Sequence, residues 1–308
     1  MKICFMGSSI FARIICEYLL NKNIQIDCIY TQAPKPKGRG KHLELTDLHS
    51  MALKYNIPVE TPANFKEEAT KTTFKNYNFD LALVASYGII LPQFILDCPT
   101  YGCINVHGSI LPKYRGASPI QMALHNGEKT TGITIMQMDK GMDSGDIITT
   151  KEINIDYPIE FNDLYKQLAE LSCEALLNTI LELKHNGKVN KTPQNHNLAT
   201  FTKILTKEDG RINFNLNANS IVNKILAFNP FPSTYFYYKE EPIKILQAIA
   251  YEKNHNNKIG EVINLNPLTI AVNNSILEIK ILQRAGKNPL TAKDFLNGFK
   301  LNIGNILT

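Results

Sequence analysis

The first 110 residues alternate short apolar runs with amphipathic stretches, and this alternation limits the possible folds more than any other feature. Strands that alternate with helices build an open, mainly parallel sheet that is covered by helices. The pattern therefore predicts an α/β, Rossmann-like N-terminal domain. The predicted strands are residues 2–6, 24–31, 81–85 and 103–106, and the predicted helices are residues 11–20, 45–55 and 65–77.

The first turn of this pattern, Gly7-Ser8-Ser9, carries a single glycine. A dinucleotide-binding fold needs the fingerprint G-x-G-x-x-G at this position, because its backbone approaches a pyrophosphate closely. The sequence therefore does not support a nicotinamide cofactor.

A basic segment, residues 32–41, follows the second predicted strand and holds four cations, two prolines, two glycines and no acidic residue. This composition predicts an irregular loop, because proline and glycine are unfavourable inside helices and strands. A basic loop suits phosphate binding, and a solvated surface loop is an equally good interpretation of the segment alone.

Asn105 and His107 lie two residues apart at the end of an apolar run, just before Gly108. Alternate residues of a strand point to the same face, so the two side chains share one side. The pair suits chemistry at the carboxyl end of a strand. A satisfied polar pair that closes a strand is the alternative interpretation.

Residues 136–146 combine three carboxylates with two glycines. Such a loop binds a metal through oxygen ligands, holds a carboxylate such as Asp143 against a base, or is a plain acidic turn. The spacing D-x3-D-x2-D lacks the order of a calcium-binding loop. Tyr87 and His107 follow predicted strands, and Asp143 follows the strand-like run 132–138, so we expect all three at the carboxyl ends of the sheet.

The chain changes beyond about residue 203 to short apolar runs separated by Asn, Gly and Pro. This alternation is typical of a small all-β barrel. The polar run 188–200 follows a long predicted helix at 160–186 and indicates a linker. We therefore place two domains at residues 1–187 and 206–308, with a linker at residues 188–205.

The positive charge is concentrated in the second domain. Residues 206–308 carry 12 Lys and Arg against 8 Asp and Glu, whereas residues 1–205 carry 21 against 20. This excess permits a polyanionic partner without requiring one. The six cysteines form no C-x-x-C pair, so we expect reduced thiols and no metal. No apolar run approaches the roughly 18 residues of a membrane span, and we expect a cytoplasmic, monomeric protein.

Several segments resemble the folate-dependent formyltransferases, and the similarity covers nearly the whole chain in order. The chain departs from the family at Gly7-Ser8-Ser9-Ile10-Phe11, where Gly-Thr-Pro, an acidic residue and Phe are more usual. The similar segments are Asn105-x-His107-Gly108-Ser109-x-Leu111-Pro112-x-x-Arg115-Gly116, Met142-Asp143-Ser144-Gly145-Asp146, Ala85-Ser86-Tyr87-Gly88-Ile89-Ile90-Leu91-Pro92, Thr31-Gln32 with the basic Gly38-Arg39-Gly40-Lys41, and Ala227-Phe228-Asn229-Pro230-Phe231-Pro232.

The resemblance implies a formyl donor, 10-formyltetrahydrofolate, and an initiator methionyl-tRNA as acceptor. It implies catalytic roles for Asn105, His107 and Asp143, and an OB-like C-terminal barrel that helps to bind tRNA. We expect tRNA contacts from Lys37, Arg39 and Lys41. The expected folate-binding residues are Ser86, Tyr87, Gly88, Ile89, Ile90, Leu91, Pro92, Ser109, Ile110, Leu111 and Pro112, with Tyr87, Ile89 and Leu91 as an apolar wall.

Three alternatives share these residues. Formylation of an amino sugar nucleotide uses the same Asn, His and Asp set, and the basic loop and basic second domain favour an RNA acceptor over it. Hydrolysis of the folate to release formate needs no acceptor. An RNA-binding module with an inactive site is disfavoured because Asn105, His107 and Asp143 are all present.

Overall fold

A computed structural model describes residues 1–37 and 42–308. Two compact units are present: Met1–Gly116 with Thr130–Asn154 and Tyr165–Phe201, and Ala117–Lys129 with Ile155–Leu164 and Thr202–Thr308. The helices of the described residues are α1 (Ile10–Asn21), α2 (Asp47–Lys54), α3 (Glu68–Tyr77), α4 (Gln93–Asp97), α5 (Pro119–His125), α6 (Phe161–Asn186), α7 (Ala218–Phe228) and α8 (Ala292–Asn297), with short 3-10 turns at His196–Leu198 and Glu208–Gly210.

The strands fall into a large sheet in the first unit, a smaller sheet in the second and short ladders. They are β1 (Ile3–Gly7), β2 (Cys28–Tyr30), β3 (Lys35–Lys37), β4 (His42–Glu44), β5 (Val59–Glu60), β6 (Leu81–Ala85), β7 (Cys103–His107), β8 (Arg115–Gly116), β9 (Thr130–Gln137), β10 (Ile147–Asn154), β11 (Phe201–Thr202), β12 (Thr234–Tyr238), β13 (Glu241–Tyr251), β14 (Val262–Leu265), β15 (Leu268–Val272), β16 (Ser275–Arg284) and β17 (Leu290–Thr291).

The large sheet has the strand order β10-β9-β7-β6-β1-β2-β5. The pairs from β7 through β6, β1 and β2 to β5 are parallel, whereas β9 and β10 are antiparallel to their neighbours. Every residue of β1, β6 and β7 is buried, as expected where helices cover both faces of a sheet. The predicted Rossmann-like, mainly parallel sheet is confirmed.

The turn from β1 into α1 explains why a glycine begins it. A Cβ at Gly7 would lie 2.6 Å from the Ala85 carbonyl oxygen and closer still to the Ala12 side chain. Ser9 then begins α1, because its hydroxyl oxygen accepts a hydrogen bond from the Ala12 amide. At this turn β1, β6 and α1 therefore pack so closely that a side chain at position 7 has no room.

Two local predictions in this unit are wrong. Lys35–Lys37 forms a short strand paired with β4, although the segment was expected to be irregular. A two-stranded ladder has no central strand, so Pro36 is tolerated there. The second main strand begins at Cys28, not residue 24, since Ile24 and Ile26 are buried without being paired.

The second unit contains an antiparallel sheet with the order β12-β13-β16-β15-β14. The final residues connect its two edges: Thr308 exchanges backbone hydrogen bonds with Tyr237 of β12, and Asn305 accepts one from Val262 of β14. The apolar faces of these strands enclose one core cluster. The predicted OB-like barrel is therefore confirmed.

This unit also contains α7, which the all-β prediction missed. Asn217 begins α7 by accepting a hydrogen bond from the Ser220 amide, and Ile221 and Ile225, one turn apart, pack into the barrel core. Among the described residues, no helix combines the length and apolar character that a membrane span needs.

Candidate active site

The carboxyl end of β7 places Asn105 and His107 on one face of the sheet, as the alternation predicted. Their residues are 9% and 5% exposed. The Asn105 side chain has no hydrogen-bond partner within residues 1–37 and 42–308, and its amide is not among the buried polar atoms that lack a partner. The amide is therefore open to solvent, and its N–H groups can donate to a bound molecule.

Both ring nitrogens of His107 face oxygen atoms. Nε2 lies 2.9 Å from the Tyr114 carbonyl oxygen, and Nδ1 lies 3.6 Å from Asp143 Oδ2. A carbonyl can only accept a hydrogen bond, so Nε2 carries a proton. A second proton on Nδ1 would form a charge pair with the Asp143 carboxylate.

Asp143 is held by a second contact, because its Oδ2 also accepts a hydrogen bond from the Gly116 amide at 2.8 Å. Its φ is +47°, a left-handed conformation that is uncommon for a residue with a Cβ. At Gly145 a Cβ would collide with the Gln137 carbonyl oxygen. The turn around Asp143 is therefore tightly packed against the end of β9.

The route to Asp143 differs from the sequence prediction. Asp143 was expected at the carboxyl edge of parallel strands, but β9 is antiparallel to β7. Gln137 at the end of β9 pairs with Ile104 near the start of β7, whereas His107 pairs with Thr134. The direction of β9 therefore does not bring Asp143 and His107 together. The loop after β9 must fold back toward the carboxyl end of β7 to place Asp143 beside His107.

Thr134 is a residue that the sequence analysis missed. It is fully buried, and its hydroxyl donates to the Ser109 carbonyl at 2.7 Å and accepts from the Leu111 amide at 3.1 Å. It thereby fixes the turn 109–112 beside His107. The sequence did contain a signal for this role, because Thr134 is a polar residue inside the apolar run 132–138.

Gln194 is a second missed residue, in the segment expected to be a linker. It is 6% exposed, and its Nε2 donates to the carbonyl oxygens of Asp143 and Gly145. Its Oε1 accepts hydrogen bonds from the Arg115 guanidinium. Nothing in the polar sequence around Gln194 signals this role.

In the segment 86–92, which was expected to bind folate, two residues near the start have a left-handed backbone conformation. Ser86 has φ +51° and Gly88 has φ +74°. The intervening Tyr87 carbonyl accepts hydrogen bonds from Gln32 Nε2 at 2.9 Å and Ser8 Oγ at 3.3 Å. The backbone shape of this loop is thus fixed from inside the unit.

The side chains of this loop have different environments. Tyr87 and Leu91 are 3% and 8% exposed and belong to the core, Ile89 packs partly against it, and Ile90 is 92% exposed. The apolar surface that this loop offers to solvent therefore comes mainly from Ile90. Burial also raises the pKa of the Tyr87 phenol, which stays neutral.

The three expected tRNA contacts lie in or beside the residues that the structure does not describe. The backbone of Lys37 belongs to β3, and Arg39 and Lys41 lie outside the described residues.

Burial raises the pKa of all six cysteine thiols, which disfavours the reactive thiolate form. For Cys103, which begins β7, the pKa is raised to about 12. Within the described part of the chain, no group of three His, Cys, Asp or Glu side chains has the geometry to hold a metal ion.

Comparison with known protein families agrees with this architecture. Residues 1–180 match the model of the formyl transferase family, and residues 204–300 match that of the formyl transferase C-terminal domain.

Individual proteins are similar over the full length. The methionyl-tRNA formyltransferase of Rickettsia bellii is 40% identical over 99% of both chains. That of Pseudoalteromonas translucida is 38% identical over 97% of this chain and 94% of its own. The crystal structure of WlaRD, a sugar 3N-formyl transferase in the presence of dTDP and 5-N-formyl-THF, superposes with a TM-score of 0.67 at 19% identity, covering 94% of this chain and 99% of that one. The chain belongs to the formyltransferase family, and within it to the methionyl-tRNA formyltransferases.

Proposed function

We propose that the protein transfers the formyl group of 10-formyltetrahydrofolate to the amino group of methionine on initiator methionyl-tRNA, for translation initiation. Two methionyl-tRNA formyltransferases match this chain at 38–40% identity over at least 94% of each chain, which supports the acceptor as well as the chemistry. Convergence of Asn105, His107 and Asp143 is the structural observation that carries the proposal, because formyl transfer needs an oxyanion donor and a polarised proton network in one place.

The reaction joins the methionyl amine to the formyl carbon. The amine lone pair attacks that carbon, and the carbonyl π electrons move to oxygen to give a tetrahedral oxyanion. Collapse of the oxyanion breaks the bond between carbon and the folate N10. A proton leaves the amine nitrogen and one is added to N10, so tetrahydrofolate and formylmethionyl-tRNA are formed without net redox change.

The Asn105 amide is the proposed donor to the oxyanion. Its N–H groups have no partner in the described residues and lie on the face that carries His107. A positioned donor of this kind stabilises charge that develops in the transition state, and such a donor typically contributes about 10²–10³ in rate.

His107 is proposed to act as a protonated partner of the developing charge, and Asp143 to stabilise that form. Nε2–H is already engaged with the Tyr114 carbonyl, and Nδ1 faces the Asp143 carboxylate. A general-base role toward the amine would need a ring nitrogen with a free lone pair directed at the substrate. The arrangement of both nitrogens toward oxygen acceptors supports the electrostatic role.

The folate is proposed to contact the loop 86–92 and the turn 109–112. The Tyr87 and Ser109 carbonyls and the Leu111 amide already have internal partners. The groups proposed to read the pterin edge are therefore other backbone groups of the two segments, including those of residues 88–90 beside the exposed Ile90 side chain. Gly88→Val should raise the KM for the donor, because a Cβ there would meet Gln32 Nε2 at 2.6 Å; unchanged donor affinity would contradict this placement.

The tRNA backbone is proposed to be bound by Lys37, Arg39 and Lys41, together with Lys and Arg of residues 206–308. The charge excess of the C-terminal residues supports this assignment. Replacing the three loop cations by Ala should flatten the salt dependence of tRNA binding, since each phosphate contact releases counterions. An unchanged salt slope would remove the loop from the interface.

The test of the function is a set of parallel assays with 10-formyltetrahydrofolate. The acceptors are initiator methionyl-tRNA, elongator methionyl-tRNA, an amino sugar nucleotide, and none. Product on the initiator alone supports the proposal. Product on the sugar, or formate release without an acceptor, would replace it by one of the other two reactions, and tRNA binding without turnover would indicate a binding protein.

A further inference from the structure

Gln194 is buried although the residues on either side of it are exposed. A buried primary amide has two donor hydrogens and one acceptor oxygen, and leaving them unpaired is unfavourable. All are used here. Nε2 donates to the carbonyl oxygens of Asp143 at 2.9 Å and Gly145 at 2.7 Å, and Oε1 accepts from Arg115 Nε at 3.2 Å and from its terminal nitrogen at 2.7 Å.

The two donated bonds hold the turn on both sides of Ser144. Because Asp143 has a left-handed backbone, its conformation needs support from outside the turn. The Gln194 amide supplies that support at the carbonyl of Asp143 itself.

The accepted bonds connect the same amide to the segment that binds the Asp143 carboxylate. Arg115 precedes Gly116, whose backbone amide donates to Asp143 Oδ2 at 2.8 Å. Gln194 therefore contacts the backbone of Asp143 and also Arg115, the residue before the Gly116 amide that donates to the Asp143 carboxylate.

We infer that Gln194 is a positioning residue that fixes the Asp143 carboxylate against His107 Nδ1. Gln194 has no role with the reacting atoms; it acts through Asp143. Its effect on catalysis rests on the proposed function, whereas its effect on the geometry of His107 and Asp143 does not.

The segment that carries Gln194 is anchored independently of its side chain. Thr192 and Ile147 exchange both backbone hydrogen bonds at 2.8 Å, and the Thr200 carbonyl accepts from the Arg115 amide at 2.8 Å. Replacing the amide of Gln194 should therefore leave the backbone of residues 192–200 in place.

The first test uses Gln194→Met and Gln194→Glu in steady-state formyl transfer. Met keeps the shape and loses every hydrogen bond; Glu keeps the acceptor for Arg115 and loses both donors. Both variants should lower kcat by about 10²-fold with KM for donor and tRNA nearly unchanged, because a displaced carboxylate affects the reaction more than binding. Wild-type kcat in either variant would overturn the inference.

Gln137→Met is the matched control. The Gln137 Nε2 also donates to two backbone carbonyls, those of Tyr101 and Cys103, but near the start of β7. This variant should lose stability as Gln194→Met does and keep kcat within about 2-fold. An equal fall in kcat for both variants would assign Gln194 a merely structural role.

The second test needs no turnover. The imidazole nitrogen resonances of His107 are compared by NMR in the wild type and Gln194→Met, with His255 of the second unit as internal reference. The His107 Nδ1 resonance should shift while the His255 resonances stay fixed; an unmoved His107 resonance would overturn the inference. If the wild type formylates no acceptor, the proposed function fails and this measurement still decides the role of Gln194.

Discussion

Strands β7 and β15 have the same length and the same complete burial, but they differ in what they contain. β7 reads Cys-Ile-Asn-Val-His and β15 reads Leu-Thr-Ile-Ala-Val. The side chains of Leu268, Ile270 and Val272 belong to the barrel core, whereas the Asn105 amide of β7 has no partner among the described residues and is open to solvent. An amide without an internal hydrogen bond adds little to stability, so β7 also carries a group available for chemistry, whereas β15 contributes stability alone.

Substitutions of the catalytic side chains at and beside β7 should have the strongest effects. Asn105→Ala should lower kcat by about 10²–10³, because the oxyanion loses its donor, and His107→Ala and Asp143→Ala should lower it by about 10²–10⁴. The free energy of unfolding of Asn105→Ala should stay within about 1 kcal/mol of wild type, since the removed amide made no internal hydrogen bond. Formyl-transfer kinetics and urea unfolding measure the two quantities.

Retained tRNA binding in these variants is the control for correct folding. A near-normal kcat in any one of them would remove that residue from the proposed mechanism.

The reverse pattern is expected for β15. Ile270 is fully buried in the barrel core, so Ile270→Ala should destabilise the protein by about 2–5 kcal/mol through lost apolar contacts and a cavity. Its kcat per folded molecule should match the wild type. Urea unfolding measures the loss of stability, and formyl-transfer kinetics at a temperature where the variant is folded measure kcat. A fall in kcat comparable to that of Asn105→Ala would contradict the assignment of a purely stabilising role to β15.

A pair of threonines extends the contrast between the two strands to single hydroxyl groups. Thr134, beside β7, bonds the Ser109 carbonyl and the Leu111 amide, whereas the Thr269 hydroxyl of β15 has no partner in the described residues. Thr134→Val should cost about 1–3 kcal/mol because the Leu111 amide is left unpaired. Thr269→Val should be close to neutral in thermal unfolding. Equal losses would show that the two hydroxyls are equivalent.

The smallest effect concerns pH and a second histidine. His125 of α5 packs on Phe228 at 5.3 Å between ring centroids, and its Nδ1 is buried without a partner in the described residues. Burial, with a smaller contribution from Lys224, lowers its pKa below 6.5. The folded state therefore binds a proton at His125 less readily than the unfolded state does. The neutral His125 makes its full contribution to the free energy of unfolding above pH 6.5, and this contribution is lost as the pH falls below 6.5.

His125→Leu should make unfolding less sensitive to pH between 7 and 5 than the wild type. Urea unfolding at several pH values measures the slope, and an identical slope in both proteins would assign the acid sensitivity to other groups.

Apolar periodicity predicted β6 to the residue and β7 to within one residue, because these runs are buried on both faces. It overextended β2, since Ile24 and Ile26 are buried without pairing. It also missed α7, although Ile221 and Ile225 have helical spacing behind an Asn cap. Burial and backbone pairing are different constraints, and an apolar pattern reports burial alone.

Sequence motifs and apolar periodicity were sufficient to predict the fold class and the family. They also placed Asn105 and His107 on one face, because strand alternation is a local property. The tertiary structure was needed to show how Asp143 reaches His107, since β9 is antiparallel to β7. It also decided that Thr134 and Gln194 support the site. Their hydrogen bonds join residues 23 to 79 positions apart, and local sequence carries no information about such pairings.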